Sequence, residues 1–414
     1  MYNPEMRIAV IGGGASGMAA ALQAAWRGAT VTVFERNAVV GRKLLVTGSG
    51  RCNITNDGAT AEKYACADPE WMAVLLGCFG VQALRGMLRK IGILVYKTSD
   101  GWYYPLSNSA QTVVDSFAGA LSLADVSVRL SSRVASISEV EKGFVIQLAG
   151  ESKERRETFE KVIVAAGGKA YPALGSRGEL FPVLERLGHT LLPKRPALAP
   201  VLAELQSLKA LQGIRLDAGV ELWDGKKRLA SAAGNLIFTE WGFNGPAVMD
   251  ISHHISALPG RPLVLSLNLL HFFETEFHDL LQQKRGTRLP VKVFLGAFFP
   301  PKVASLYPSM NHISGDTPLN QIDAGSFQGL IDKLKDTRLP VKGVRDFEYC
   351  QLSAGGVPVT EANPRTLESR KVNGLYLTGE TLDVVGPCGG YNLQFAFSSG
   401  ALAGMAAAAA TGDK

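Results

Sequence analysis

The sequence of 414 residues predicts an α/β fold in which a domain with a parallel sheet is interrupted by other elements. In residues 7–35 an apolar segment is followed by glycines, a helical pattern and a β-branched segment, which is typical of a βαβ unit. A second apolar segment, glycine-rich loop and helix occupy residues 374–404. A chain of this length exceeds the roughly 250–300 residues of a single hydrophobic core, so we expect two or three domains.

Local patterns predict the individual elements. Apolar segments at Arg7–Ile11, Thr30–Phe34 and 161–166 predict buried parallel strands, and residues 18–27 predict a helix between the first two. The remaining predicted strands are 126–137, 143–148, 219–223, 228–230, 235–239 and 374–377. Short strands with turn signals after about Pro193 predict an antiparallel barrel or sandwich, and a proline-interrupted helical pattern follows from about residue 266 to 332.

Composition and charge exclude several classes of protein. Hydrophobic residues make up 46% and charged residues 19% of the chain, as in globular rather than disordered proteins. The net charge is +6, but the basic residues form short scattered clusters, which favours solvated surface over a nucleic-acid footprint. The five cysteines have no CxxC spacing, and the histidines lack a metal-binding pattern, so we expect no disulfide framework and no metal. No signal peptide or long uninterrupted apolar segment is visible, and we expect a cytoplasmic protein without a membrane span.

Three glycines form a nucleotide-binding pattern. Gly12, Gly14 and Gly17 give G-x-G-x-x-G directly after a predicted strand and at the start of a predicted helix. The first glycine makes a tight turn, the second admits a pyrophosphate, and the third allows the helix to pack closely on the strand. Glu35 ends the second strand, where its carboxylate can accept both hydroxyls of a ribose. The pattern predicts a dinucleotide site, but FAD and NAD share it.

The C-terminal segment decides between the two cofactors. After its strand come Gly379 and Glu380, then a loop containing Gly389 and Gly390, then a helix that begins near Asn392. A second strand, loop and helix that contact the nucleotide are what the long FAD molecule requires. The chain has one complete dinucleotide pattern, so NAD(P)H would have to bind transiently in an open cleft.

Four segments carry a family resemblance. They are GRKLLVTGSGRCNITN (41–56), GGKAYPALGSRG (167–178), RPALAPV (195–201) and GETLDVVGPCGGYNLQFAFSSG (379–400). They resemble the BaiN/YhiN-like bacterial FAD-binding flavoproteins, some of which are labelled aminoacetone oxidases, and the resemblance covers nearly the whole chain. It implies an α/β fold: a Rossmann-type, glutathione-reductase-like FAD-binding domain interrupted by a small β-barrel domain and a helical insert.

The segmentation gives domain boundaries. We assign residues 1–192 and 346–414 to the FAD-binding domain, 193–264 and 326–345 to the β-barrel or substrate domain, and 265–325 to the helical insert. The chain departs from the family pattern after residue 176, where Arg177 replaces the start of a G-D-G-Y-like continuation. In the barrel segment IFTEWGFNGP, Glu240 and Asn244 stand where His and Ser are common. These departures leave the substrate open.

The resemblance also implies a set of residues that bind non-covalent FAD. Glu35 would hold the adenosine ribose, Val134 or a neighbour would meet adenine through its backbone, and the first turn of the last helix would donate N–H groups to the flavin. The backbone of that turn is expected to matter more than the side chain of Asn392. The complete set is Gly12, Gly14, Ala15, Ser16, Gly17, Glu35, Arg36, Arg42, Lys43, Thr47, Gly48, Gly50, Asn53, Val134, Ala166, Gly167, Gly379, Glu380, Asp383, Gly389, Gly390, Asn392 and Leu393.

No catalytic residue follows from the pattern alone. Candidates near the flavin are Arg51, Cys52, Tyr104 and Cys388, and a structural role for the first two is an equal alternative. The aromatic segment 101–105 would either line a substrate pocket near the flavin or have only an ordinary packing role. No nucleophile elbow supports a hydrolase.

The predicted function is that of an FAD-dependent oxidoreductase, which transfers hydride between flavin N5 and a small organic substrate. NAD(P)H, as in a reductase, or oxygen, as in an amine or aminoketone oxidase, would be the other redox partner. Two alternatives stay open: an RNA-modifying flavoprotein, and a flavin-based redox sensor or binding module without turnover. Monomer and homodimer are both compatible with the sequence.

Overall fold

The computed structural model describes residues 6–150 and 156–409, so residues 1–5, 151–155 and 410–414 of the predicted domains lie outside it. The chain divides into two compact units. The first comprises Met1–Arg195 and Gln351–Lys414, and the second comprises Pro196–Cys350.

The structure has these strands: β1 (Arg7–Ile11), β2 (Thr30–Phe34), β3 (Thr55–Asn56), β4 (Val95–Lys97), β5 (Trp102–Pro105), β6 (Ser127–Arg129), β7 (Val134–Val140), β8 (Gly143–Leu148), β9 (Arg156–Phe159), β10 (Lys161–Val164), β11 (Leu192–Ala197), β12 (Val201–Ala203), β13 (Arg215–Asp224), β14 (Lys227–Phe238), β15 (Gly242–Asn244), β16 (Leu263–Asn268), β17 (Thr337–Val344), β18 (Leu352–Gly356) and β19 (Leu375–Leu377).

The α-helices are α1 (Ala15–Ala25), α2 (Pro69–Cys78), α3 (Val81–Lys90), α4 (Ala110–Leu123), α5 (Phe181–Arg186), α6 (Pro246–Met249), α7 (Ser252–Ser256), α8 (Glu274–Lys284), α9 (Val291–Leu295), α10 (Pro301–Met310), α11 (Ala324–Lys335) and α12 (Tyr391–Ala407).

The first unit contains the predicted parallel sheet, with strand order β19-β10-β1-β2-β6. Ile11 pairs with Phe34 on one side and with Val164 on the other, so these strands end at one edge of the sheet. The glycine turn after β1, Glu35 after β2 and the Gly-Gly after β10 therefore meet at that edge. The predicted α/β Rossmann-type fold is confirmed.

The single strand predicted for residues 126–137 is wrong, because the structure interrupts it near the middle. Residues 126–137 form β6 and β7, with a turn between them in which Ser131 has φ of 53°. The backbone N–H of Ser131 donates to the carbonyl of Asn37 at 2.9 Å, and that of Ser132 donates to the carbonyl of Glu35 at 2.8 Å. These N–H groups therefore bind the loop after β2 and do not pair with a neighbouring strand. The β-branched composition of the segment does not indicate this break.

Helix α12 packs against α1 with almost no side chain between the two backbones. A Cβ on Gly400 would lie 2.0 Å from the carbonyl oxygen of Ser16, and one on Gly404 would lie 2.1 Å from that of Ala20. Only glycine permits this approach, because any Cβ would overlap the neighbouring backbone. The contact joins the first and last parts of the chain into one domain.

The second unit is built on a closed six-stranded barrel, with order β12-β15-β14-β13-β16-β17. Residues 228–230 and 235–239, predicted as separate strands, belong to the single long strand β14, which pairs with β13 from Asp224 and Lys227 to Arg215 and Ile237. The helices α8 to α11 lie in sequence between β16 and β17. The last of them ends at Lys335, so the barrel resumes at Thr337 rather than at residue 326.

By its length and its apolar composition alone, the segment Pro69–Lys90 could cross a membrane. In the structure it forms two helices of 10 residues each, α2 and α3, separated at Phe79 and Gly80. A spanning helix needs about 20 continuous residues. In α2 the buried Trp71 donates its indole N–H to the carbonyl of Ala362 at 2.7 Å, which fastens this helix to the C-terminal part of the domain.

Replacing Gly404 with Ala tests the packing of α12 on α1. The added methyl overlaps the carbonyl of Ala20, so we expect a loss of about 1–3 kcal/mol in the free energy of unfolding. Gly119→Ala in α4 is the control, since no atom lies within 4 Å of its Cβ position. That change is expected to add about 1 kcal/mol through helix propensity. Equal stability of the two variants in denaturant titrations would contradict the close contact.

Candidate cofactor and active site

The G-x-G-x-x-G turn has one open side. Gly12 has φ of 110°, and a Cβ on it would lie 2.4 Å from the carbonyl oxygen of Ala165. A Cβ on Gly17 would lie 1.8 Å from the carbonyl oxygen of Gly12, whereas no atom lies within 4 Å of the Cβ position of Gly14. The space at Gly14 adjoins the first turn of α1, which starts with Ala15 and Ser16 and whose first N–H groups have no partner within the helix. An anion such as a pyrophosphate fits there.

Glu35 is buried at the same edge of the sheet and is held by three donors. One carboxylate oxygen accepts from the backbone N–H of Gly13 at 2.7 Å, and the other accepts from the N–H and the side-chain amide of Asn37 at 2.7 and 2.8 Å. The carboxylate is thereby oriented next to the start of α1. A carboxylate has about four lone-pair sites, so the oxygen that accepts from Gly13 can accept one further hydrogen bond, such as one from a ribose hydroxyl.

Asn37 was not among the predicted site residues. Its side-chain amide also donates to the carbonyl of Leu174 at 3.2 Å, and its side-chain oxygen accepts from Arg42 at 3.2 Å. A Cβ on Gly175 would lie 2.5 Å from the Asn37 side-chain nitrogen. The sequence signal was Gly175 within GGKAYPALGSRG, because a glycine is needed there for this loop to pack against Asn37.

Two further predicted residues lie in this loop region. Arg36 forms an ion pair with Glu179 at 2.7 Å, so the guanidinium of Arg36 points toward the loop that contains Glu179. Gly167, after Ala166, has φ of 75° and a Cβ position 3.2 Å from the hydroxyl of Ser176. Val134, the predicted adenine contact, begins β7 and is buried.

The acidic residues of the GETLD segment are bonded to protein groups. Glu380 forms an ion pair with Lys43 at 2.5 Å and accepts from the backbone N–H of Ser353 at 3.1 Å. Asp383 accepts from the N–H of Gly355 at 2.6 Å. These carboxylates tie β18 and the GRK segment to the C-terminal half of the domain, which adds a structural role to the predicted one.

Gly379 lies between the two long helices. Its N–H donates to the hydroxyl of Ser399 in α12 at 3.0 Å, and a Cβ on it would lie 2.8 Å from the hydroxyl of Ser16 in α1. The strand end, the start of α1 and the body of α12 therefore converge at this glycine.

The two most specific motifs, GRCNITN and GGYNLQ, are in direct contact. Gly390 has φ of 96°, and a Cβ on it would lie 2.5 Å from the carbonyl oxygen of Thr55. The Thr55 hydroxyl donates to the Gln394 side-chain oxygen at 2.5 Å, and the Asn56 amide donates to the carbonyl of Gly389 at 3.0 Å. The glycine loop before α12 is thus fixed against β3.

A buried acceptor at this contact has no partner among the described residues. It is the side-chain oxygen of Asn53, which lies 2.8 Å from the Cβ position of Gly390. An unpaired buried polar atom costs free energy, so it indicates a missing partner. Gly390 directly precedes the first turn of α12, which contains Asn392 and Leu393 and whose first N–H groups have no partner within the helix. This set of one acceptor and several donors fits the polar edge of a flavin ring.

The Asn392 side chain has a role that the sequence did not indicate. Its oxygen accepts from the N–H of Gly386 at 2.8 Å, and its nitrogen donates to the carbonyls of Gly386 and Pro387 at 2.8 and 3.2 Å. It closes the GPCGG loop on the helix. Cys388, one of the catalytic candidates, is half-buried within this loop.

The segment 47–52 is a tight loop with several left-handed residues. The Thr47 hydroxyl donates to the carbonyl of Leu44 at 2.6 Å, and φ is positive at Gly48, Gly50 and Cys52. Burial raises the pKa of the Cys52 thiol to about 12. The thiol stays protonated at neutral pH, which favours the structural role for Cys52 over a nucleophilic one.

The other two catalytic candidates contact each other. The Arg51 guanidinium lies over the Tyr104 ring, 4.5 Å from its centroid, and Tyr104 is buried. Next to Tyr104 on the same face of β5 is Trp102, whose indole lies 2.9 Å from the Cβ position of Gly389. The aromatic strand therefore borders the glycine loop.

A buried serine and histidine form a hydrogen-bonded series with a half-buried glutamate elsewhere in this unit. The Nε2 atom of His189 lies 3.1 Å from the Ser369 hydroxyl, and Nδ1 lies 2.7 Å from a carboxylate oxygen of Glu361. The Ser369 oxygen also accepts from the backbone N–H groups of Lys371 and Val372, both at 3.0 Å. Ser369 is only 5% exposed, so this series fastens the fold and is not a hydrolase triad.

Comparisons with known proteins agree with the Rossmann-type fold of the first unit. The family model described as HI0933-like protein Rossmann domain matches residues 6–406. A 3-dehydro-bile acid delta(4,6)-reductase of Clostridium scindens is 36% identical, over 97% of this chain and 99% of its own length. A ribosomal RNA dihydrouridine synthase of Escherichia coli is 31% identical, over 94% of this chain and 95% of its own. The crystal structure of 3-ketosteroid delta1-dehydrogenase from Sterolibacterium denitrificans has a TM-score of 0.53 at 13% identity, over 97% of this chain and 99% of its own, which indicates a shared fold.

Replacing Glu35 with Ala tests the ribose site. Hydrogen bonds to a carboxylate contribute about 1.5–3 kcal/mol each, so the affinity for FAD is expected to fall at least about tenfold. Glu179→Gln is the control, because it removes only the partly exposed ion pair with Arg36, which contributes at most about 1 kcal/mol. Titrating the apoprotein with FAD by fluorescence gives both dissociation constants. Unchanged affinity of Glu35→Ala would mean that the nucleotide lies elsewhere.

Alkylation distinguishes the cysteines. With iodoacetamide at pH 8, the exposed Cys78 is expected to react, whereas Cys52 stays unmodified because its pKa of about 12 keeps the thiolate scarce and burial blocks access. Peptide mapping by mass spectrometry measures both sites, and unfolding in guanidinium provides the positive control for Cys52. Rapid labelling of Cys52 in the folded protein would restore it as a candidate nucleophile.

Proposed function

The chain belongs to the HI0933-like Rossmann family and is a flavin oxidoreductase, and from this we propose that it is an FAD-dependent reductase of carbon–carbon double bonds conjugated to a carbonyl group. The observation that carries the proposal is the contact between the GRCNITN and GGYNLQ motifs. In this contact the unpaired oxygen of Asn53 lies against Gly390, the residue that precedes α12.

The helix start favours reductive chemistry. The first N–H groups of α12 and the positive end of its dipole would face the flavin edge on which negative charge collects when the ring is reduced. Bound FAD would supply hydride transfer, with a donor of the NAD(P)H class as the reductant and the β-carbon of the substrate as the acceptor. A proton from water would complete the product at the α-carbon. The chain's own residues bind and orient the cofactor: Glu35 at the ribose, Gly14 at the pyrophosphate and Asn53 at the ring.

The names of the two relatives describe one type of reaction. A 3-dehydro-bile acid with double bonds at positions 4 and 6 is a conjugated ketone, and the double bond that is saturated in dihydrouridine is conjugated to a ring carbonyl. In both substrates the carbonyl makes the β-carbon electrophilic. We extend this shared chemistry to the present chain.

Among such substrates we favour a small conjugated ketone over ribosomal RNA. The net charge of +6 is modest for a nucleic-acid-binding protein of this length. Many basic side chains of the second unit are already paired with carboxylates, among them Arg228 with Glu221, Arg261 with Asp224 and Lys335 with Glu274. Paired cations contribute less to phosphate binding. The 36% identical relative also acts on a small molecule.

Anaerobic spectroscopy tests the proposed function. The yellow protein is expected to bleach with NADH or NADPH and to regain its colour when 2-cyclohexen-1-one or 4-androstene-3,17-dione is added, with a product two mass units heavier than the ketone. Cyclohexanone, which has no double bond to reduce, is the control. A reduced protein that is reoxidised only by oxygen after reaction with amines, or only by a uridine-containing ribosomal RNA fragment, would refute the proposed substrate class.

A further inference from the structure

Arg51 is a cation held at the surface of the cofactor loop without a carboxylate partner. Its guanidinium makes two long hydrogen bonds of 3.4 Å, to the carbonyl of Gly48 and to the hydroxyl of Tyr104. Within residues 6–150 and 156–409, no carboxylate oxygen lies within 4.0 Å of it, and the residue is exposed. Most N–H donors of the guanidinium therefore remain available to a ligand.

The position of this cation is nevertheless well defined. Its backbone is fixed by the left-handed loop, in which the N–H of Cys52 donates to the carbonyl of Thr47 at 3.0 Å. Its side chain rests on the ring of Tyr104, whose edge lies 3.3 Å from the Cβ position of Gly48. A cation over an aromatic face is stabilised by the ring quadrupole, so little side-chain freedom remains to be lost when a ligand binds.

The platform beneath Arg51 continues to the candidate flavin site. The ring centroids of Tyr104 and Trp102 are 6.5 Å apart, and Trp102 lies against Gly389 at the start of α12. Two residues after Arg51 is Asn53, with its unpaired buried oxygen. Trp102 is only half-buried, so a molecule that contacts it would lie between the Arg51 guanidinium on Tyr104 and the glycine loop.

We propose that Arg51, held on Tyr104, is the site that binds the carbonyl oxygen of the substrate and stabilises the negative charge that develops there. This inference rests on the proposed reduction of a conjugated ketone and names a catalytic residue for it. When a hydride adds to the β-carbon, the electron pair of the double bond moves toward the carbonyl oxygen. Guanidinium donors placed in advance at that oxygen lower the barrier to this step.

The chain provides a matched control in Arg85 of α3, which contacts the next aromatic residue of β5. Arg85 lies over the ring of Tyr103 at 5.2 Å from its centroid, in a contact like that of Arg51 with Tyr104. Successive residues of a strand point to opposite faces, so Arg85 is on the other side of β5. There the Tyr103 hydroxyl donates to Asp57 at 2.6 Å, so Arg85 has an acidic neighbourhood that Arg51 lacks.

Binding of 4-chlorophenol to the FAD-loaded protein tests the site without turnover. Phenolates that stack on oxidised flavin produce a long-wavelength charge-transfer band, and a cation at the oxygen lowers the pKa of the bound phenol. We expect the band in the wild type and in Arg85→Gln, a band that needs higher pH in Arg51→Lys, and at least tenfold weaker binding in Arg51→Gln. Flavin content and melting temperature are measured for each variant to confirm folding.

Reduction of 2-cyclohexen-1-one supplies the second readout. Losing one such donor typically lowers kcat on the order of 100-fold. We therefore expect the kcat of Arg51→Gln to be lower than that of the wild type by about this factor, and the kcat of Arg51→Lys to be reduced less. If the wild type binds no phenol, or if Arg51→Gln binds it and reduces cyclohexenone as the wild type does, the Arg51 site is refuted. If phenol binding depends on Arg51 but no conjugated ketone is reduced, the proposed function fails and the binding site stands.

Discussion

The close approach of α12 to the N-terminal half of the chain is the constraint on which the rest of the first unit depends. At Gly400 and Gly404 its backbone lies against α1, and at Gly390 it lies against the carbonyl of Thr55. These contacts leave no room for a Cβ. They bring a segment near residue 390 to the GRCNITN strand near residue 55, and the candidate flavin site is where these two distant segments meet.

The charged groups around the site fall into two kinds. Glu35, Glu380 and Asp383 each accept hydrogen bonds from the protein itself, so they hold loops and strand ends in place. Arg51 is different, since its contacts are an aromatic ring and two long hydrogen bonds. A preorganised group with free donors is suited to a ligand rather than to fold stability.

Much of the fold could be predicted because its signals are local. The strands β1 and β2 have the predicted bounds, and the glycines at 12 and 17 lie where a tight turn and close packing require them. The break between β6 and β7 could not be predicted, because it depends on carbonyls of Glu35 and Asn37 that are distant in sequence. Asn37, the buried thiol of Cys52 and the loop-closing role of Asn392 were missed or undecided for the same reason. Hydrogen-bond partners and burial are tertiary properties that residue type does not determine.

A crystal structure of the FAD-loaded protein is the most direct test of the central claim, that the contact of the GRCNITN and GGYNLQ motifs forms the flavin site. We expect the pyrimidine edge of the flavin within hydrogen-bond distance of the Asn53 side-chain oxygen and of the backbone N–H groups of Asn392 and Leu393. The adenosine ribose is expected on Glu35 at the other end. A flavin ring bound without contact to residues 389–393 would contradict the account.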